Sequence, residues 1–140
     1  MNDVILNKRA TVERCISRIL EEYVDEKTLR GSYTKQDSVL LNLQRACEAC
    51  IDVANHLVHQ HRLGVPQSAR DSFSLLERSG YITSDISLRM QKMVGLRNVA
   101  VHDYQKLNLD IVISVLDNHL AGFIDFLDEA DKALNRLSNS

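Results

Sequence analysis

The sequence predicts an all-α fold, an antiparallel bundle of four long helices plus one short helix. Apolar residues recur at three- and four-residue spacing through most of the 140-residue chain, the periodicity of helices that bury one face. There is a single proline, Pro66, and no run of alternating apolar and polar residues bounded by turn signals, so nothing reads as a strand. The connections between periodic segments are short, which favours antiparallel neighbours in a bundle.

The first helix is expected over residues 3–27, with Ile5, Val12, Ile16, Ile19 and Tyr23 on one stripe and Gly31 supplying the break. A second follows over 37–61. Asp37 is its expected N-cap, and Leu43, Cys47, Cys50, Ala54 and Leu57 form its buried stripe. "RLGVPQS" stops it. Ser68 is expected to cap a short helix running to Arg78 and closed by Gly80, and Ser84 to cap a fourth that carries the stretch "RNVAVHDY", residues 97–104. The last helix should begin near Asn108 or Leu109 and continue through Ile113, Leu116, Leu120, Phe123, Leu127, Ala130 and Leu134, the most regular stripe in the chain.

Length and composition fit one domain spanning residues 1–140 with one core: apolar residues make up 44% and charged residues 26%. No apolar run approaches the roughly 20 residues of a spanning helix, and the N-terminus carries charges where a signal peptide needs its apolar stretch, so a cytoplasmic protein is expected. Seventeen basic against nineteen acidic residues give a net charge of −2, which argues against a broad basic surface for nucleic acid. Any such site must be local. Three cysteines without a secretory signal read as reduced thiols.

Most candidate sites have plainer explanations. Cys47 and Cys50 form a CxxC, but neither a βαβ context nor a second ligand pair accompanies it, and both fall on the apolar stripe of the second helix, so they read as core residues. His56, His59 and His61 cluster where a helix should end, and imidazoles there can bond the last free carbonyls; no metalloprotease or facial-triad pattern supports a metal. "DFLDEADK" near the C-terminus reads as a solvated helix face. Nucleophile elbows, phosphate-binding loops and dinucleotide fingerprints are absent from the sequence, and no cofactor is implied.

That leaves RNVAVHDY. On a continuous helix Arg97 and Tyr104 share a face, while His102 lies about 140° round from Arg97. For the arginine and histidine to converge, the helix must unwind near residues 101–103 or a second subunit must complete the site. Gly95 just upstream leaves room for close approach by another backbone. The chemistry suits phosphodiester cleavage. An arginine can hold a phosphate through two charge-assisted hydrogen bonds, and a histidine, with an ordinary pKa of about 6.5, can move a proton at neutral pH. The structural alternative is an arginine paired with a carboxylate of another helix and a histidine at a helix C-terminus.

The stretch from Arg97 to Tyr104 resembles the R-x4-6-H signature of the HEPN-domain superfamily, and its RN start and HxY ending look like the HepT branch. Length, helix count and motif position agree. The resemblance implies a helical bundle acting as a homodimer, with both motifs gathered in a cleft between subunits, and a metal-independent RNA endonuclease acting as the toxin of a toxin–antitoxin pair. It implies Arg97 and His102 as the catalytic pair, Asn98 and Asp103 as site support, and Tyr104 as the acceptor of AMP. The implied partners are RNA and an MNT-type nucleotidyltransferase antitoxin that neutralises the toxin by AMP transfer. Two copies of Arg97 and His102 in one cleft would concentrate positive potential without making the whole protein basic. The competing expectation is a non-catalytic helical module that binds or positions substrate for a nucleotidyltransferase, with RNVAVHDY as its docking surface.

Overall fold

The computed structural model describes residues 3–138, which form seven α-helices and one 3-10 turn, with no strand among them. The long helices are α1 (Asp3–Glu22), α3 (Tyr33–Gln60), α5 (Ser84–His102) and α7 (Ala121–Ser138); the short ones are α2 (Glu26–Arg30), α4 (Ala69–Arg78) and α6 (Leu109–Asn118). The four long helices match the expectation, but three short helices stand where one was expected. No helix among the described residues is long and apolar enough to cross a membrane.

α3 is the central column. Its stripe of Leu43, Cys47, Cys50, Ala54 and Leu57 is fully buried as expected, and α1 lies along it with Ile5, Val12, Cys15 and Ile19 inward. α4 and α5 pack on another side of α3, and α7 closes the bundle against α1, α3 and α5. Phe73 of α4 and Phe126 of α7 meet edge to face at 5.1 Å between ring centroids, and both are wholly buried. Burial of this kind stabilises a fold by about 1.5–3 kcal/mol for each large apolar side chain.

The helix ends correct several expectations. α1 stops at Glu22, not residue 27, because Asp25 turns extended and its side chain accepts from the Thr28 N–H at 2.7 Å, starting α2. α3 starts four residues before Asp37: Ser32 is its cap, with Oγ accepting from the Lys35 N–H at 3.2 Å. Asp37 is thereby left inside the helix with its carboxylate free for other work. Thr83, not Ser84, caps α5, and Ser68 caps α4 as expected.

α3 and α4 close alike. A residue in the left-handed region follows each helix, Arg62 at φ 55° and Gly80 at φ 79°, and the next N–H returns to the helix, Leu63 to the Val58 carbonyl and Tyr81 to the Leu76 carbonyl.

The long last helix is in fact α6 and α7, broken at His119 and Leu120. His119 leaves helical geometry at φ −129°, and its N–H still bonds the Val115 carbonyl. Ile113, Leu116, Phe123, Leu127 and Ala130 are all buried, so the apolar spacing runs straight through the break and gives no sign of it. Nor is "DFLDEADK" a solvated face. Asp125, Asp128 and Glu129 are half-buried and tie α7 to its neighbours through Arg89, Arg9 and the Thr83 N–H.

Candidate ribonuclease site on α5 and α3

The motif occupies the last turns of α5. The helix ends at His102, and Asp103 leaves it at φ −152° with its N–H on the Val99 carbonyl, 2.9 Å away. Tyr104–Lys106 then form the 3-10 turn. The chain therefore unwinds only past the histidine, too late to turn His102 toward Arg97.

Arg97 points back onto α3. Its side chain is 18% exposed and its Nη1 lies 3.1 Å from Oε1 of Glu48, while its buried Nε has no hydrogen-bond partner among the described residues. Arg97 lines a small cavity together with Leu40, Leu43, Cys47 and Met93, so one edge of the guanidinium is held while its Nε is left unsatisfied. Tyr104 also returns to α3: its hydroxyl donates to Oδ1 of Asp37 at 2.7 Å. That bond, with burial and the carboxylate charge added, raises the phenol pKa above its usual value.

Asp37 and Glu48 lie about three turns apart on nearly the same face of α3, so one helix face holds both ends of the motif. Neither acid was foreseen as part of the site. Asp37 was read as a cap, and nothing in the sequence spacing links Glu48 to Arg97.

His102 is not brought to Arg97 within the chain. It is exposed at the helix end and its side chain forms no hydrogen bond or ion pair among the described residues. The helix is continuous from Arg97 to His102, so the separation of about 140° round the axis stands. Asn98 is half-buried between them, and Asp103 pairs with Lys106 at 3.3 Å.

The space beside Gly95 is taken by a side chain of the same subunit, not by another backbone. A β-carbon there would collide with an Arg70 terminal nitrogen, and Arg70 Nε donates to the Gln91 carbonyl at 3.3 Å. Gly95, Asn98 and His102 share one face of α5, so Arg70 adds a cation upstream of the histidine.

The remaining candidates stay apart from this site. Cys47 and Cys50 are buried free thiols, and burial pushes the Cys47 thiol up to about 12. His61 Nδ1 lies 2.9 Å from the Tyr81 hydroxyl, so its side chain joins the closures of α3 and α4 and does not cap the helix carbonyls. Among the described residues no three His, Cys, Asp or Glu side chains are grouped to hold a metal.

The model of the family described as ribonuclease HepT-like matches residues 12–130. The chain is 58% identical over 128 residues to the mRNA nuclease HepT of Shewanella oneidensis, covering 91% of this chain and 96% of that protein. Among solved structures it resembles a tri-AMPylated Shewanella oneidensis HEPN toxin in complex with an MNT antitoxin, with a TM-score of 0.90, 56% identity and coverage of 94% of this chain and 99% of that one. A toxin–antitoxin structure with AMP-PNP follows at a TM-score of 0.89 and 56% identity, covering 93% and 99%. With residues 12–130 matched by the family model and most of its length covered by a relative at 58% identity, the chain belongs to the HepT-like ribonuclease family.

Proposed function

We propose that the protein is a metal-independent RNA endonuclease, the toxin of a toxin–antitoxin pair, working as a homodimer of single-domain subunits (1–140) in the cytoplasm. The observation that carries this reading is the split presentation of the motif. Arg97 is set on α3 with an unbonded Nε, while His102 stands free at the end of α5. One chain cannot aim both at one phosphate, but two chains related by a two-fold axis can place the arginine of each beside the histidine of the other.

In the cleavage step the RNA 2′-oxygen attacks its own phosphorus as one His102 accepts the hydroxyl proton. The P–O5′ bond breaks and the other subunit's protonated histidine gives a proton to the leaving oxygen, yielding a 2′,3′-cyclic phosphate and a 5′-hydroxyl. Arg97 binds the phosphate oxygens and stabilises the charge that builds in the transition state. Asn98 and Asp103 support the site, Asn98 between the pair and Asp103 through the turn that ends the helix.

Tyr104 is the regulatory acceptor. An MNT-type nucleotidyltransferase antitoxin transfers AMP from a nucleotide donor to its phenol oxygen: the new bond joins that oxygen to the α-phosphorus, pyrophosphate leaves, and the phenol proton is released. The added phosphate and nucleoside then compete with RNA for space and for Arg97. The test is purified protein with total RNA in EDTA, beside Arg97→Ala and His102→Ala. We expect cleavage by the parent alone; a need for added magnesium, or cleavage by both variants at the parental rate, overturns the reading.

A further inference from the structure

α1 and α3 leave on their outer side a groove of about 470 Å³ whose lining includes Thr11, Arg14, Arg18, Ser38, Asn42 and Arg45 and contains no acidic residue. Arg14 and Arg18 stand one turn apart on α1, a like-charge pair that disfavours an isolated helix, and Arg45 faces them from α3. Elsewhere on these two helices the cations are answered: Lys8 by Asp52, Arg9 by Asp128, Lys35 by Glu22. In the groove Arg14 has a 3.5 Å contact to the Thr11 hydroxyl, and none of the three arginines forms an ion pair among the described residues. Of the acids near these arginines in sequence, Glu22 and Glu48 are committed to Lys35 and Arg97, while Glu21 forms no ion pair among the described residues.

A protein of net charge −2 thus keeps three unpaired guanidinium groups in one polar groove. Guanidinium groups bind phosphate through paired hydrogen bonds, and the Ser38 hydroxyl adds a donor. Arg14 and Arg18 are separated by about 6 Å along α1, the order of the distance between neighbouring phosphates of an extended strand. The groove also lies close to the site. Asp37, which holds Tyr104, immediately precedes Ser38 on α3, and Glu48, which holds Arg97, is three residues past Arg45, so the two acids lie on a face adjoining that of the groove. A helix is about 10 Å across, so a strand leaving the cleavage site reaches the groove within a few nucleotides.

We propose that this groove is a second, sequence-independent binding site for the RNA phosphate backbone, gripping the part of the substrate that extends beyond the cleaved bond. The proposal rests on the ribonuclease reading above. It makes the length of the RNA, and not only the nucleotides at the cut, a determinant of affinity.

The test is binding of a long unstructured RNA to the full-length His102→Ala protein across a salt series, with and without Arg14→Gln, Arg18→Gln and Arg45→Gln together. Loss of three phosphate contacts should weaken binding at least about tenfold and flatten the slope of log affinity against log salt by about 2. A control triple, Lys27→Gln, Lys132→Gln and Arg136→Gln, removes the same charge elsewhere and should leave both nearly in place. With His102 restored, the groove triple should raise KM for long RNA and change cleavage of a tetranucleotide less than about twofold. Arg18→Gln alone should flatten the slope by about 0.7, which keeps the test decisive if the triple variant melts early.

Unchanged affinity and slope, or an equal loss in the control, overturns the proposal. So does a groove triple that binds RNA normally yet escapes the nucleotidyltransferase, since the groove would then serve the protein partner. If the parent binds RNA without cutting it, the nuclease reading fails while the binding series still decides the groove.

Discussion

Arg97 is held at one edge by Glu48 and has a buried Nε without a partner, so it is a guanidinium only partly satisfied by its own chain. A lysine there keeps the charge and loses the planar fork that suits phosphate. Arg97→Lys should therefore lower kcat/KM at least about tenfold without loss of folding, checked by initial rates and a thermal melt. His102→Ala should lower the rate by about 10²- to 10⁴-fold, the usual effect of removing a positioned acid or base. On the proposed reading Tyr104 belongs to regulation. Its phenol is bonded to Asp37, which holds the proton on and repels the phenolate, so its pKa in the fold lies above the unfolded value. The stabilisation that bond gives is present below the unfolded pKa of about 10 and is lost as pH rises through the raised one. Asp37→Asn should bring the phenol back toward its ordinary value, read from tyrosinate absorbance against Tyr104→Phe; no change between Asp37→Asn and the parent would show that the bond is absent in solution. Tyr104→Phe should keep RNase activity and escape AMP addition, seen as no AMP mass increment by intact-mass spectrometry.

At the scale of elements, the buried stripe of α3 was legible because helical spacing and burial are the same fact seen twice. Cys47 and Cys50 fell on it, and both are buried. Each truncation to alanine should cost about 1–2 kcal/mol in a denaturant titration and leave the cleavage rate in place. With its thiol pushed up to about 12 by burial, Cys47 should resist alkylation at pH 8 until the protein unfolds. The breaks were less legible, for two reasons. The apolar spacing continues across His119 and Leu120, so periodicity carries no information about the end of α6. The true cap Thr83 stands beside Ser84, equally able to serve, and Ser32 is followed within five residues by Thr34 and Asp37, both able to cap. The candidate site's motif stands out in the sequence; the groups that pack against it do not. Asp37, Glu48 and Arg70 meet the motif only through packing between helices, which a single sequence does not encode as spacing. Gly95→Ala tests one such support: its β-carbon would meet the Arg70 guanidinium, so the variant should displace that side chain and lower RNA affinity, measured by fluorescence anisotropy.

For the molecule as a whole, net charge and RNA cleavage are reconciled by locality. Ion pairs answer many of the cations; of those without one among the described residues, Arg14, Arg18 and Arg45 share the groove between α1 and α3 and Arg70 lies beside Gly95, while Lys27, Lys132 and Arg136 stand apart from both. Because α5 turns Arg97 and His102 to different sides, activity should require the dimer. Sedimentation should show a homodimer, and a fully active monomer would contradict the shared cleft. The central claim is that the arginine and histidine promote attack by the substrate's own 2′-hydroxyl. The most direct measurement uses a defined RNA cut by the parent protein in EDTA, prepared again with a single 2′-deoxynucleotide on the 5′ side of the cut. The account predicts that this one missing oxygen abolishes cleavage there, and that the intact RNA yields a 2′,3′-cyclic phosphate. Cleavage of the deoxy-substituted strand at the same bond and rate would contradict it.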